Sequence, residues 1–157
     1  MKQARMVFFI LFSASFGLLC GCFNRRGLEG KIITEIQSRC KNGSICSLRI
    51  SELTDFEWDK MYAFRSATNV DVDQATGTKL HPYADLENLL VFTYQGKVVF
   101  QESEPIDVEH VVKDEVVFDI PESAHYKVYG HDVVFSARVL SSSYGPYYEL
   151  TEVGSHK

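Results

Sequence analysis

The sequence predicts an α+β domain, with one N-terminal amphipathic helix packed on a mainly antiparallel sheet of six to seven strands. Three observations lead to that reading. Apolar residues recur at helical spacing between Gly27 and Cys40. From Ser47 onward, short runs rich in β-branched and aromatic residues follow one another, divided by Gly, Pro and Ser clusters. The links between these runs are short, which suits antiparallel neighbours.

Leu28, Ile32, Ile33 and Ile36 fall on one face of about three helical turns. The next segment, Cys40-Lys-Asn-Gly-Ser-Ile-Cys46, contains the turn signal Asn42-Gly43, which folds the chain back before a strand at Ser47–Ile50. Asp55 to Arg65 alternates like a strand, with Phe56, Trp58, Tyr62 and Phe64 on one side and Asp55, Glu57, Asp59 and Met61 on the other. A short helix closed by Gly77 fits Thr68 to Gly77. Leu89–Tyr94 and Val98–Glu102 read as a hairpin around Gln95-Gly96-Lys97. Four more strands are expected at Val116–Ile120, His125–Tyr129, Val133–Leu140 and Tyr147–Thr151, separated by Pro121, Gly130 and the Ser141–Pro146 loop. With no internal repeat or low-complexity tract, residues 28–153 read as a single domain and 154–157 as a tail.

The first 21 residues have a different character. Lys2 and Arg5 precede 14 uncharged residues, Met6 to Leu19. That run is shorter than the roughly 20 residues of a membrane-spanning helix and matches the apolar core of a signal peptide. It leads into Leu19-Cys20-Gly21-Cys22, which resembles the lipobox of bacterial lipoproteins. In that class the chain is cut before a cysteine whose sulfur carries diacylglycerol and whose new amine is usually acylated as well. Cys22 fits better than Cys20, because Gly21 supplies the small residue before it and Leu19 stands three positions upstream. Parity agrees, since cleavage there removes Cys20 and leaves Cys40 and Cys46 as a pair. An ordinary secreted protein with a fortuitous cysteine is the alternative.

On this reading residues 1–21 are removed and residues 22–27 form the lipidated Cys22 and a short linker, at most ~3.5 Å per residue. The mature chain keeps 14 of the 16 Lys and Arg and all 21 Asp and Glu, for a net charge of −7. Two or more acyl chains hold a protein stably to a bilayer, and Arg25 and Arg26 would add about 1 kcal/mol each against anionic headgroups. Phe23, in place of the Asp that commonly retains such proteins at the inner membrane, leaves the choice of membrane open.

Leu53-Thr-Asp-Phe-Glu-Trp-Asp-Lys-Met-Tyr-Ala-Phe64 resembles a segment found in a set of small, uncharacterised bacterial lipoproteins, enterobacterial ones included. The similarity extends through the Cys40/Cys46 pair and the Tyr-Gln-Gly-Lys97 hairpin. It implies an envelope location and one domain, and it attaches no catalytic residue to the motif.

An exported chain meets an oxidising compartment, so Cys40 and Cys46 are expected to form a disulfide, worth roughly 2–3 kcal/mol for so small a loop. A redox-active pair is disfavoured by the lack of C-x-x-C spacing. Asp55, Glu57 and Asp59 are the best enzymatic candidates, because on a strand they share a face about 7 Å apart, a spacing compatible with acid/base work or a hard cation. The simpler reading is the wet face of a half-buried strand. Asp71-Val-Asp73-Gln-Ala-Thr-Gly77 fails as a calcium loop, with its glycine one place late and Pro82 where the twelfth-position Glu belongs.

Of the five histidines (His81, His110, His125, His131 and His156), His125 and His131 flank a turn expected at Tyr129-Gly130, but zinc needs three or four convergent ligands. Nucleophile elbows, phosphate loops and dinucleotide fingerprints are absent from the sequence. The net charge of −5 excludes a typical nucleic-acid binder. Tyr144, Tyr147 and Tyr148 around Gly145-Pro146 are candidates for a binding surface, since loop tyrosines offer contact area at low entropic cost.

Together these readings lead to an expectation: a protein lipid-anchored to the cell envelope, on the periplasmic side of the inner or outer membrane. It is expected to act by binding an envelope protein, as an inhibitor or in a stress-related role, with no catalytic residues, metal or cofactor. A small hydrolase or cation-dependent enzyme using Asp55, Glu57 or Asp59 is the alternative.

Overall fold

Helix α1 (Leu28–Arg39) buries Leu28, Ile32, Ile33 and Ile36, the face its 3.6-residue spacing marks out. Its N-cap, Gly27, has no side chain to offer the first-turn N–H groups. A carboxylate from a distant strand takes that role: Leu28 N donates to Glu102 Oε2 at 2.7 Å and Glu29 N to Oε1 at 3.4 Å. The approach is so close that a methyl at position 27 would stand 1.9 Å from Glu102 Oε1 and push the carboxylate aside. Glu29 is itself buried, and its Oε1 accepts the N–H of Val116 at 2.9 Å. The computed structural model describes residues 27–67, 69–80, 87–105 and 113–154. The expected signal peptide, Cys20, Cys22, the linker to Arg26, and His81, His110 and His156 lie outside them.

After α1 come a short turn of 3-10 helix, Lys41–Gly43, and then β1 (Cys46–Leu48), with Cys40 and Cys46 joined in a disulfide at a Cα separation of 5.2 Å. A second turn of 3-10 helix, Ile50–Glu52, follows β1, and the remaining elements are β2 (Lys60–Ala67), α2 (Asn69–Thr76), β3 (Glu87–Tyr94), β4 (Lys97–Pro105), β5 (Val116–Phe118), β6 (Tyr126–Gly130), β7 (Phe135–Ser142) and β8 (Gly145–Glu152). The α+β class is as expected, but the strands form two sheets in place of one. Eight strands divide into a first sheet ordered β1-β7-β8-β5 and a second ordered β4-β3-β2-β6. All pairings are antiparallel except β5 on β8.

The two sheets and α1 enclose a shared core. From the first sheet come Leu48, Val116, Phe118, Phe135, Ala137, Tyr148 and Leu150; from the second, Met61, Ala63, Phe92 and Tyr129; from the helix, its whole apolar face. The second sheet is also covered on its outer side, where Val72 of α2 and Leu80 pack on Tyr62, Phe64, Leu89 and Val91.

That double burial corrects the expected strand at Asp55–Arg65. β2 starts at Lys60, and Met61, expected on the wet side with the acids, is 0% exposed like its neighbours in the core. Residues 53–59 form an irregular approach, in which Phe56 stacks on Phe100 at 4.9 Å and Trp58 meets Phe92 edge-on at 5.1 Å. The hairpin at Gln95-Gly96 is as expected: both residues have positive φ, 52° and 74°, the geometry of a tight primed turn. Helix α2 forms where expected, closed by Gly77 N donating to Asp73 O at 3.0 Å.

Tyr129 is enclosed by Phe118 and Phe135, and its hydroxyl has no hydrogen-bond partner among the described residues. Burial first, and then the charges of Asp119 and Glu152, push its ionisation well above the ordinary tyrosine range.

Glu102→Ala should lower stability by about 1 kcal/mol, the usual cost of a lost N-cap, read as an earlier urea midpoint with unchanged slope. Above pH about 10, unfolded Tyr129 releases its proton while folded Tyr129 keeps it, so folding loses about 1.4 kcal/mol per pH unit. Tyr129→Phe should be neutral or stabilising at pH 7 and lose less stability than wild type between pH 10 and 11. Equal alkaline losses in the two proteins would refute the assignment.

Candidate functional site

The tyrosines proposed for binding cluster at the β7–β8 hairpin, which turns at Ser143 and Tyr144, tighter than the loop expected at Ser141–Pro146. Ser142 Oγ organises the turn, accepting Tyr144 N at 3.1 Å and donating to Gly145 O at 3.1 Å. Strand alternation then sends the three rings to different places. Tyr144 is at the tip, 52% exposed. Tyr147 is half-buried on the outer face of the first sheet, opposite Leu140. Tyr148 is 1% exposed, a core residue whose hydroxyl accepts Gln37 Nε2 at 2.5 Å. The expected three-tyrosine surface therefore reduces to Tyr144 and Tyr147.

Beside Tyr147 on that outer face, Arg138 grips Glu149 with two nitrogens, Nε and Nη2, each 2.5 Å from Oε2. That hydrogen bond, and then the carboxylate's charge, hold the guanidinium even more firmly protonated than usual. The tip thus presents one exposed ring, with a half-buried ring and a neutralised ion pair further along the outer face, a surface suited to contact by shape and stacking.

The acidic candidates separate as well. Asp55 and Glu57 are exposed in the segment before β2, and Asp55 lies 3.8 Å from Lys31 of α1. Asp59 serves the β3–β4 turn: Oδ2 accepts Gln95 N at 2.8 Å and Oδ1 accepts Thr93 Oγ1 at 3.1 Å. The three carboxylates do not share a strand face, because no strand runs through residues 55–59. Asp71 and Asp73 lie within α2, which leaves no loop there to wrap a cation.

His125 and His131 do not face each other. The expected turn at Tyr129-Gly130 is the end of β6, so the two histidines stand at opposite ends of that strand, with the ring of His131 4.8 Å from that of Trp58. No group of three or more His, Cys, Asp or Glu side chains arranged to hold a metal occurs among the described residues.

Sequence reasoning missed one surface. Tyr126 and Val128 project from the outer face of β6 at 37% and 44% exposure. Alternation marked them as sharing a side of the strand, but nothing local showed that this side borders solvent.

Tyr148→Ala should destabilise the domain by about 3–5 kcal/mol, as large-to-small core changes do, whereas Tyr144→Ala with Tyr147→Ala should cost under about 1 kcal/mol. Thermal melts of the variants test the division between core and surface. Compared with family models, with curated proteins and with solved structures, the chain matches none.

Proposed function

We propose that this chain is a lipid-anchored protein of the bacterial cell envelope that acts by binding another envelope protein, without catalysis. The observation that carries the reading is the N-terminal order of two cations, 14 uncharged residues and Leu19-Cys20-Gly21-Cys22. Its resemblance to a lipobox supports Cys22 as the acylated residue and a domain on the periplasmic side of the inner or outer membrane.

Gly27, the first described residue, would then lie five residues from the anchor, roughly 17 Å at full extension. The body of the domain would be held against the bilayer surface, with α1 entering the core directly from the tether. The exposed tip of the β7–β8 hairpin supports a binding role: Tyr144 offers a rigid aromatic contact, and an acidic body speeds encounter with a basic partner. An inhibitor or immunity protein for a basic toxin or hydrolase fits within this reading. The rival, a small hydrolase or cation-dependent enzyme, drew on Asp55, Glu57 and Asp59 sharing a face, and their separation removes that support.

The test is fractionation with capture. Wild-type protein should partition with membranes and carry an acyl mass on its N-terminal cysteine, and Cys22→Ser should abolish both. In-cell crosslinking should recover one dominant partner from wild type and lose it when Tyr144 and Tyr147 are both alanine. Membrane association that survives Cys22→Ser would reject the anchor, and undiminished capture by the double variant would reject the tip.

A further inference from the structure

Each four-stranded sheet leaves two open edges, and three of the four carry features that discourage further pairing. β1 and β5 are only three residues long. β4 is bulged at Val99, bears Lys97, Glu102 and Glu104, and ends at Pro105. The fourth edge, β6, is five residues long with no bulge or proline, and its single charge is paired within the chain. Its one charge, Lys127, points to the inner face, where its ammonium lies 3.2 Å from Glu152 and 5.3 Å from the centre of the Tyr129 ring. Its outer face carries the exposed Tyr126 and Val128.

The ladder shows which backbone groups are open. Arg65 N donates to His125 O at 3.0 Å, so His125, Lys127 and Tyr129 turn their N–H and C=O groups toward β2. Tyr126 and Val128 therefore turn theirs away from it, as does Gly130, whose C=O already accepts Val133 N at 3.1 Å. Among the described residues β6 has no other strand neighbour.

We propose that this edge pairs with the β6 edge of a second copy, antiparallel about a two-fold axis through Val128, joining the two sheets into one of eight strands. The strand Tyr126-Lys-Val-Tyr-Gly130 is complementary to a second copy of itself in that register. Val128 meets Val128 of the second copy, and Tyr126 meets Gly130. Gly130 brings no side chain, and no atom lies within 4 Å of where its Cβ would be, so the tyrosine ring has room to lie across the glycine. On the inner face Lys127 falls opposite Tyr129, which stays buried in its own core, so no like charges meet there. Sliding the seam so that Tyr126 faces Val128 would set the two Lys127 residues opposite one another, a like-charge pair that disfavours that register. A two-fold seam is isologous and closed, so it stops at the dimer.

This inference stands apart from the proposed function, since it needs neither the lipid nor a foreign partner. Residues opposite each other in a hydrogen-bonded antiparallel pair have Cα atoms about 5.5 Å apart, within disulfide reach. The full-length chain carrying Val128→Cys should therefore shift mostly to twice its mass under mild oxidation on a non-reducing gel. Val99→Cys, on the β4 edge and equally exposed at 44%, is the control for chance collision and for the other cysteines. Val128→Lys, which sets two ammonium groups across the seam, should sediment as a monomer with an unchanged circular dichroism spectrum while wild type sediments as a dimer. A Val128→Cys product no more abundant than that of Val99→Cys would overturn the proposal. So would an adduct of a mass other than twice the chain's, which would mean a foreign strand, or a Val128→Lys protein that remains dimeric.

Discussion

Two carboxylates tie one helix to both sheets. Glu102 reaches from β4 to the first N–H groups of α1, and Glu29 reaches from the first turn of α1 to the N–H of Val116 in β5. β4 belongs to one sheet and β5 to the other, so α1 is fixed to both at the end where its own backbone donors lack partners. A carboxylate suits that place because its charge complements the helix dipole as well as the N–H groups. The other end of the helix is fixed covalently, since Cys40 follows directly and is bonded to Cys46 at the start of β1. With both ends held, the apolar face of α1 packs into the core that the two sheets share.

The parts of this arrangement legible in the sequence are those decided within a few residues. The apolar spacing of Leu28, Ile32, Ile33 and Ile36 fixes both the helix and its buried side, because only one face of α1 meets the core. Gln95-Gly96 fixes a hairpin because that turn requires positive φ at both residues. The closeness of Cys40 and Cys46 across Asn42-Gly43 is likewise a local matter.

What was not legible is decided by distant packing. Alternation distinguishes wet from dry faces only when one face is wet, and β2 has none, with Met61 turned to the shared core and Tyr62 to α2. The residues before it alternate by coincidence, and so the acids at 55, 57 and 59 looked like a row. Tyr148 shows the converse limit. Alternation separates it from Tyr147 but does not say which ring faces the core. Glu102, between Gln101 and Ser103, reads as one more polar residue of an edge strand, and its use as a cap depends on a helix 74 residues upstream. Nor does any local signal divide eight strands into two sheets, or make β5 the one strand parallel to its neighbour.

The position of α1 also sets an order of events when the chain folds. It is the first described element to be synthesised, yet twelve residues are marginal as an isolated helix in water. Its cap arrives 74 residues later with Glu102, and the backbone group that satisfies Glu29 arrives 87 residues later with Val116. Closing loops of that length carries an entropic cost before any contact is gained. The helix therefore gains these polar partners only after β4 and β5 have been made.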